Sequence, residues 1–242
     1  MAIGSPDWGI YSNRSQVSTG ADAGELAARL GSFDVFSRSG NVLFMSGFEN
    51  GFGEWETEVS GTGAAITLDT SIVYSGDAAA KLVGGSNSGR SALLRKQLLV
   101  PTASKVGAEW LFALGSQLTS ISIQIEYRDG SRQYLAEIIL DYASSIVKYL
   151  GSDGDYHTIT PVPPKVTDAA LFYNLKLVVD FVSLKYTRLI INGVSTDLSS
   201  FSVRNQSAAT ASEIINRFIL TSRSGQNDLL RVDNFIFTMN EP

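Results

Sequence analysis

Few residues in this chain have the chemistry to act on a substrate. There is one histidine, His157, in the stretch Asp153-Gly154-Asp155-Tyr156-His157, and no cysteine to serve as a nucleophile or thiolate ligand. Glu54, Glu56 and Glu58 alternate along one segment and so share a strand face. A glycosidase works with two carboxylates about 5 to 9.5 Å apart across a cleft, but like charges in a row repel, and such a row more often keeps a sheet edge soluble. There is no Gly-x-Ser-x-Gly elbow; the nearest approach, Gly85-Ser86-Asn87-Ser88-Gly89, has asparagine at its centre. No His-Glu-x-x-His, Walker loop or dinucleotide fingerprint occurs, and Gly51-Phe52-Gly53 lacks the third glycine. The expectation is a protein with no catalytic residues, not an enzyme.

Sugar binding asks for less, because an aromatic ring on a sheet face or loop can stack on a pyranose. Trp8, Trp55, Trp110, Tyr74, Tyr134, Tyr142 and Tyr156 are the candidates. Trp110 lies inside the apolar run Val106 to Leu114 and is expected in the core, whereas Trp55 follows Gly53 at a strand start and can face either way. The carbohydrate-binding set to test is therefore Trp55, Tyr74 and Tyr156.

Composition sets the frame for these side chains. The chain has 242 residues, 44% of them hydrophobic, and a formal charge of −5, so it can bury a core and offers no large basic surface to nucleic acid. No run reaches the roughly 20 apolar residues of a membrane helix, and Met1 to Ile10 has neither the basic nor the apolar region of a signal peptide. Twenty-two glycines against six prolines, with abundant Ser and Thr, suit many strands joined by tight turns.

The periodicity supports an all-β class. Leu93 to Val100, Val106 to Leu114, Ile121 to Tyr127, Tyr134 to Leu140 and Ile146 to Leu150 are apolar segments separated by turn signals such as Asp129-Gly130, and they read as a meander of antiparallel strands. Ile121, Ile123, Ile125 and Tyr127 form one face of their strand, which leaves Ser122, Gln124, Glu126 and Arg128 on a face expected to be wet. A hairpin over Leu175 to Val194 turns near Ser183, and Asn192-Gly193 then marks a type I′ turn. The first residues differ. Residues 1–32 read as a polar arm ending in one short helix, capped by Asp22 and stopped by Gly31. Its Trp8, Ile10, Tyr11, Leu26 and Leu30 can dock on the chain's own body or on a partner. The expected division is an arm over 1–32 and a two-layer antiparallel jelly-roll β-sandwich over 33–242.

Three segments carry a family resemblance: Phe48-Glu49-Asn50-Gly51-Phe52-Gly53-Glu54-Trp55, Val73 to Leu82, and Val232-Asp233-Asn234-Phe235-Ile236-Phe237. Their order resembles the opening, second-strand and closing motifs of jelly-roll carbohydrate-binding modules. Leu175 to Asp180 with Tyr186 to Gly193 is similar to the central hairpin of laminin-G-like and concanavalin A-like domains. The resemblance implies a glycan partner and a structural calcium ion between Glu49 and Asp233, ligands of the hard-oxygen kind. The glycosidase signature Glu-x-Asp-x-x-Glu of such folds is absent.

Gly24 to Ser32, Phe36 to Val42 and Phe48 to Gly51 together resemble the N-terminal region of structural proteins of tailed bacteriophages. That implies a non-enzymatic virion protein, a capsid decoration or tail accessory, assembled in the host cytoplasm. It would bind other virion proteins through the arm and repeat as a homo-oligomer such as a trimer. The alternatives are a lectin-like module or receptor-binding domain and, behind it, a glycoside hydrolase.

Overall fold

The structure, a computed structural model, describes residues 40–86, 89–99, 102–116, 118–162, 171–207 and 211–242. The arm and short helix over 1–32, with Trp8, Ile10, Tyr11, Leu26 and Leu30, lie outside the described residues. Among those described there is no helix, and none long and apolar enough to cross a membrane.

Sixteen strands form in the described chain, because apolar residues at period two bury one face while the other keeps its polar groups. In order they are β1 (Asn41–Ser46), β2 (Glu56–Val59), β3 (Ala65–Asp69), β4 (Ala79–Val83), β5 (Gly89–Leu98), β6 (Lys105–Leu114), β7 (Ser120–Asp129) and β8 (Arg132–Asp141). Then follow β9 (Ile146–Leu150), β10 (Tyr156–Pro161), β11 (Phe172–Asp180), β12 (Lys185–Ile191), β13 (Val194–Asp197), β14 (Arg204–Ser207), β15 (Ser212–Ser222) and β16 (Leu229–Met239). The first sheet runs β13-β12-β11-β6-β16-β4-β3, with β1 also on β16. The second runs β10-β9-β8-β7-β15-β5-β2, with β14 beside β8.

This is the expected two-layer antiparallel sandwich, with one correction to its wiring. Of the predicted meander only β7 to β10 pair in succession; β5 and β6 lie in opposite sheets, and β7 pairs with β15 instead. Alternation reveals which face a residue occupies but not which strand lies beside it, so chain neighbours were read as sheet neighbours.

The inner faces meet on Trp110, which is 1% exposed and spans the layers: its ring lies 4.0 Å from Phe235 of the first sheet and 4.9 Å from Phe218 of the second. Trp55 joins the same cluster, 5.3 Å from Phe48 and 5.7 Å from Trp110, and its Nε1 donates to Ser46 Oγ at 3.2 Å. At 7% exposure it is core, which removes it as a sugar platform. Its large apolar ring closes the end of the sandwich beside Phe44 and Phe235, and burial there outweighs display. Asn192 (φ 49°) and Gly193 (φ 79°) take the left-handed conformations that the type I′ turn between β12 and β13 requires.

Charge is also buried on the outer face of the first sheet. Lys176, fully buried, faces Glu109 across the β11–β6 pair at 2.8 Å and Glu241 at 3.0 Å. Arg188 holds Glu241 from the other side at 3.1 Å, and the Glu241 amide donates to the Lys105 carbonyl, so residues 240–242 are strapped across this face. Nearby, Arg231 and Asp69 pair at 2.8 Å, both about 7% exposed.

Candidate functional site

The outer face of the second sheet was expected to be wet and is not. Ser122, Gln124 and Glu126 of β7 are 6%, 7% and 2% exposed, and Glu137 and Glu213 on the flanking strands are 5% and 3%. The register explains how they meet. Glu56 stands opposite Arg95, Arg95 opposite Arg217, Arg217 opposite Gln124, and Gln124 opposite Glu137. Leu150 and its partner Tyr156 continue the line on β9 and β10, and the Tyr156 hydroxyl donates to Glu137 Oε2 at 2.9 Å. One row of side chains thus crosses seven strands, about 29 Å at the usual strand spacing. Its middle is buried, while Glu56 and Tyr156 at its ends are exposed.

Hydrogen bonds fix the row. Arg95 donates to Glu56 at 2.9 Å and to Gln97 at 3.1 Å; Arg217 donates to Glu126 at 2.6 Å. Arg128 bridges Glu126 at 2.5 Å and Glu213 at 2.6 Å, and Gln97 donates to Glu213 as well. Glu137 is held differently, by the hydroxyls of Ser122 and Tyr156, and its amide donates to the Tyr186 hydroxyl at 2.9 Å. Tyr186 reaches this point from the first sheet through the core and itself donates to the Leu150 carbonyl at 2.8 Å; burial pushes its phenol up. Between the polar side chains lie Leu93, Ile215, Ile219 and Leu150, all buried on a face of alternating apolar and hydrogen-bonding character.

The three predicted carbohydrate residues do not come together. Tyr156 stands at the end of the row, 48% exposed. Trp55 is in the core. Tyr74, 56% exposed, meets Phe172 edge-on at 5.7 Å at the loop between β3 and β4. Glu56 and Glu58 are exposed on β2, and Glu56 pairs with Arg95, as a solvated acidic edge does. His157 follows Tyr156 on β10 and meets Asp153 at 2.9 Å near the surface.

The loop carrying Tyr74 holds the predicted metal pair. A bulge at Asn234 (φ 48°) bends β16 where it changes partner from β4 to β1, which puts the fully buried Asp233 under residues 74–77. Asp233 accepts the amides of Tyr74 at 2.7 Å, Ser75 at 3.2 Å and Asn234 at 2.7 Å, and Glu49 accepts that of Asp77 at 3.0 Å on both oxygens. Burial pushes the Asp233 carboxyl up, the three amides oppose the rise, and the charge of Glu49 adds to it. Gly76 takes a left-handed φ of 72°, which favours glycine, and a Cβ there would lie 1.8 Å from Glu49 Oε1 and displace that carboxylate. Calcium takes about six to eight oxygens. Here every carboxylate oxygen already accepts an N–H, and no third acid or histidine joins the pair among the described residues. As they stand, the two carboxylates hold the loop by accepting its amides. A cleft of about 340 Å³ opens beside it, lined by Met45, Glu49, Glu54, Asn234 and Ile236.

Solved structures share this architecture. No family model matches the chain, and no curated protein does. Among the similar structures are the cellulose induced protein Cip1, with TM-score 0.56 and 17% identity, covering 81% of this chain and 96% of that one, and an endo-β-1,4-glucuronan lyase from the fungus Trichoderma reesei, with 0.52, 13%, 82% and 96%. Peanut lectin matches with TM-score 0.50 and 10% identity, covering 82% of this chain and 97% of its own. At these identities the likeness shows the fold. It is the concanavalin A-like or galectin-like two-sheet sandwich, shared by enzymes and binding proteins alike.

Proposed function

We propose that this β-sandwich binds a saccharide chain laid across the strands of its second sheet, and does so without cleaving it. The single observation that carries the reading is the row Glu56–Arg95–Arg217–Gln124–Glu137–Tyr156, pre-formed by its own hydrogen bonds and ending in an exposed ring. A ring offers a stacking face, and a fixed set of donors and acceptors offers partners to hydroxyls with little ordering cost. Names among the similar structures, a lectin and a polysaccharide lyase, support a glycan as the ligand class. Binding without cleavage is supported by the use of the acids: Glu126 and Glu213 are tied to guanidinium groups and Glu137 to two hydroxyls. Tyr156→Ala is expected to weaken retention in β-glucan and xylan affinity gels by about tenfold, about 1.4 kcal/mol, with unchanged circular dichroism. Undiminished retention contradicts the site.

The resemblance of residues 24–51 to tailed-phage structural proteins favours one setting for this site, display on a virion through residues 1–32. Deleting 1–32 is then expected to leave saccharide binding intact and abolish incorporation into particles, scored by immunoblot of purified virions. Normal incorporation of the truncated protein removes this part of the reading.

A further inference from the structure

We infer that Tyr186 is a positioning residue for the saccharide row, a role that rests on the reading proposed above: its hydroxyl parts β8 from β9 and so sets where the Tyr156 ring stands. The pairing of these two strands runs from Asp141–Ile146 to Ile138–Tyr149, and its next step would join Glu137 to Leu150. That step is not made. Instead the Tyr186 hydroxyl accepts the Glu137 amide at 2.9 Å and donates to the Leu150 carbonyl at 2.8 Å, and the Glu137 carbonyl lies 3.3 Å away. One oxygen thus stands where a direct N–H to carbonyl bond of about 2.9 Å would close the ladder. Beyond this point β8 is flanked by β14, with Arg204 opposite Leu135, so the gap lies where one neighbouring strand gives way to the other.

A bulge puts the hydroxyl there. Val178 faces Arg188 but Val179 faces Tyr186, so Thr187 is one extra residue on β12. Without it Tyr186, two residues from Arg188, would share the outer face of the first sheet. With it the ring turns inward, 1% exposed, and meets Tyr149 of β9 edge-on at 5.6 Å. The phenol is therefore held from the opposite sheet, at the place where the row passes from β8 to β9. Tyr156 stands opposite Leu150, and its own hydroxyl reaches Glu137 Oε2 at 2.9 Å. Closing the ladder would draw Leu150 and Tyr156 towards Glu137 and move the exposed ring from its present place.

The test is Tyr186→Phe in the full chain, alone and combined with Tyr156→Ala, in xylan and β-glucan affinity gels, with circular dichroism to show that each variant is folded. Tyr186→Phe is expected to weaken retention about fivefold, the worth of about one hydrogen bond, and to move the Glu137 and Leu150 amide resonances. Because it acts through Tyr156, adding it to Tyr156→Ala is expected to weaken retention no further. Retention by Tyr186→Phe equal to wild type, or losses that multiply in the double variant, overturns the positioning role while leaving the saccharide row standing. The wild type supplies a check that needs no variant: no scalar coupling across a hydrogen bond is expected between the Glu137 nitrogen and the Leu150 carbonyl carbon. A coupling there means that the ladder is closed and overturns the inference. No retention by the wild type removes the saccharide row and this role together.

Discussion

Lys176→Met is expected to lower the unfolding free energy by about 3–5 kcal/mol, the range for removing one partner of a buried ion pair, measured from urea denaturation midpoints. Methionine matches the length of lysine, so little packing volume is lost; what goes is the charge between Glu109 and Glu241. Both carboxylates are buried, and Glu109 has Lys176 as its ion-pair partner across the β11–β6 register, while Glu241 keeps Arg188. The loss is a large share of a typical domain stability of about 5–15 kcal/mol. A second change separates charge from shape: Lys176→Met with Glu109→Gln should recover part of the loss, because one of the two buried negative charges that faced Lys176 is then removed. A single-variant cost below about 1 kcal/mol means that the pair is solvated and the strap over residues 240–242 contributes nothing.

Asp69→Asn is expected to cost about 3 kcal/mol at pH 7 and to show its origin in the pH dependence. Hydrogen bonds from the Ser71 hydroxyl hold the Asp69 carboxyl well below the usual carboxylate range; burial opposes them, and the Ser71 amide and the Arg231 guanidinium add to the lowering. The native state therefore binds this proton more weakly than the unfolded chain does. Its stabilisation is complete above the unfolded value of about 3.9, declines as pH falls through that value, and is lost only below the depressed native one. The gap between wild type and Asp69→Asn should narrow steadily from about pH 5 to about pH 2. A gap that stays constant or widens on acidification would mean that the carboxylate is not what holds Arg231.

These two pairs and the row across the second sheet show how far the sequence could be read. Period-two alternation in Ile121 to Tyr127 and Leu175 to Phe181 was enough to place strands and the inward face, and Asn192-Gly193 was enough to place a turn. Trp110 fell in the core as its apolar surroundings require. The pairing of β7 with β15, some ninety residues along the chain, carries no local signal, and without it Gln124 and Glu137 cannot be joined to Arg217 and Arg95. Glu126 is expected on a wet face because a charged residue on the outer side of a strand usually is exposed; ion pairing with Arg128 and Arg217 lets it be buried instead, and Glu213 is buried beside the same Arg128. One signal was present: Glu213, Ile215, Arg217 and Ile219 mix charge and bulk on one face, as do Leu135, Glu137 and Ile139. A plain solvent face has little use for isoleucine at alternate positions.

Residue-resolved NMR titration with a neutral xylo- or gluco-oligosaccharide asks most directly where the ligand lies. The account predicts the largest amide shifts at Arg95, Arg217, Gln124, Glu137 and Tyr156, a line that crosses five strands of the second sheet. Shifts confined to Tyr74, Ser75 and Asn234 at the loop clamp, with that line unmoved, contradict it.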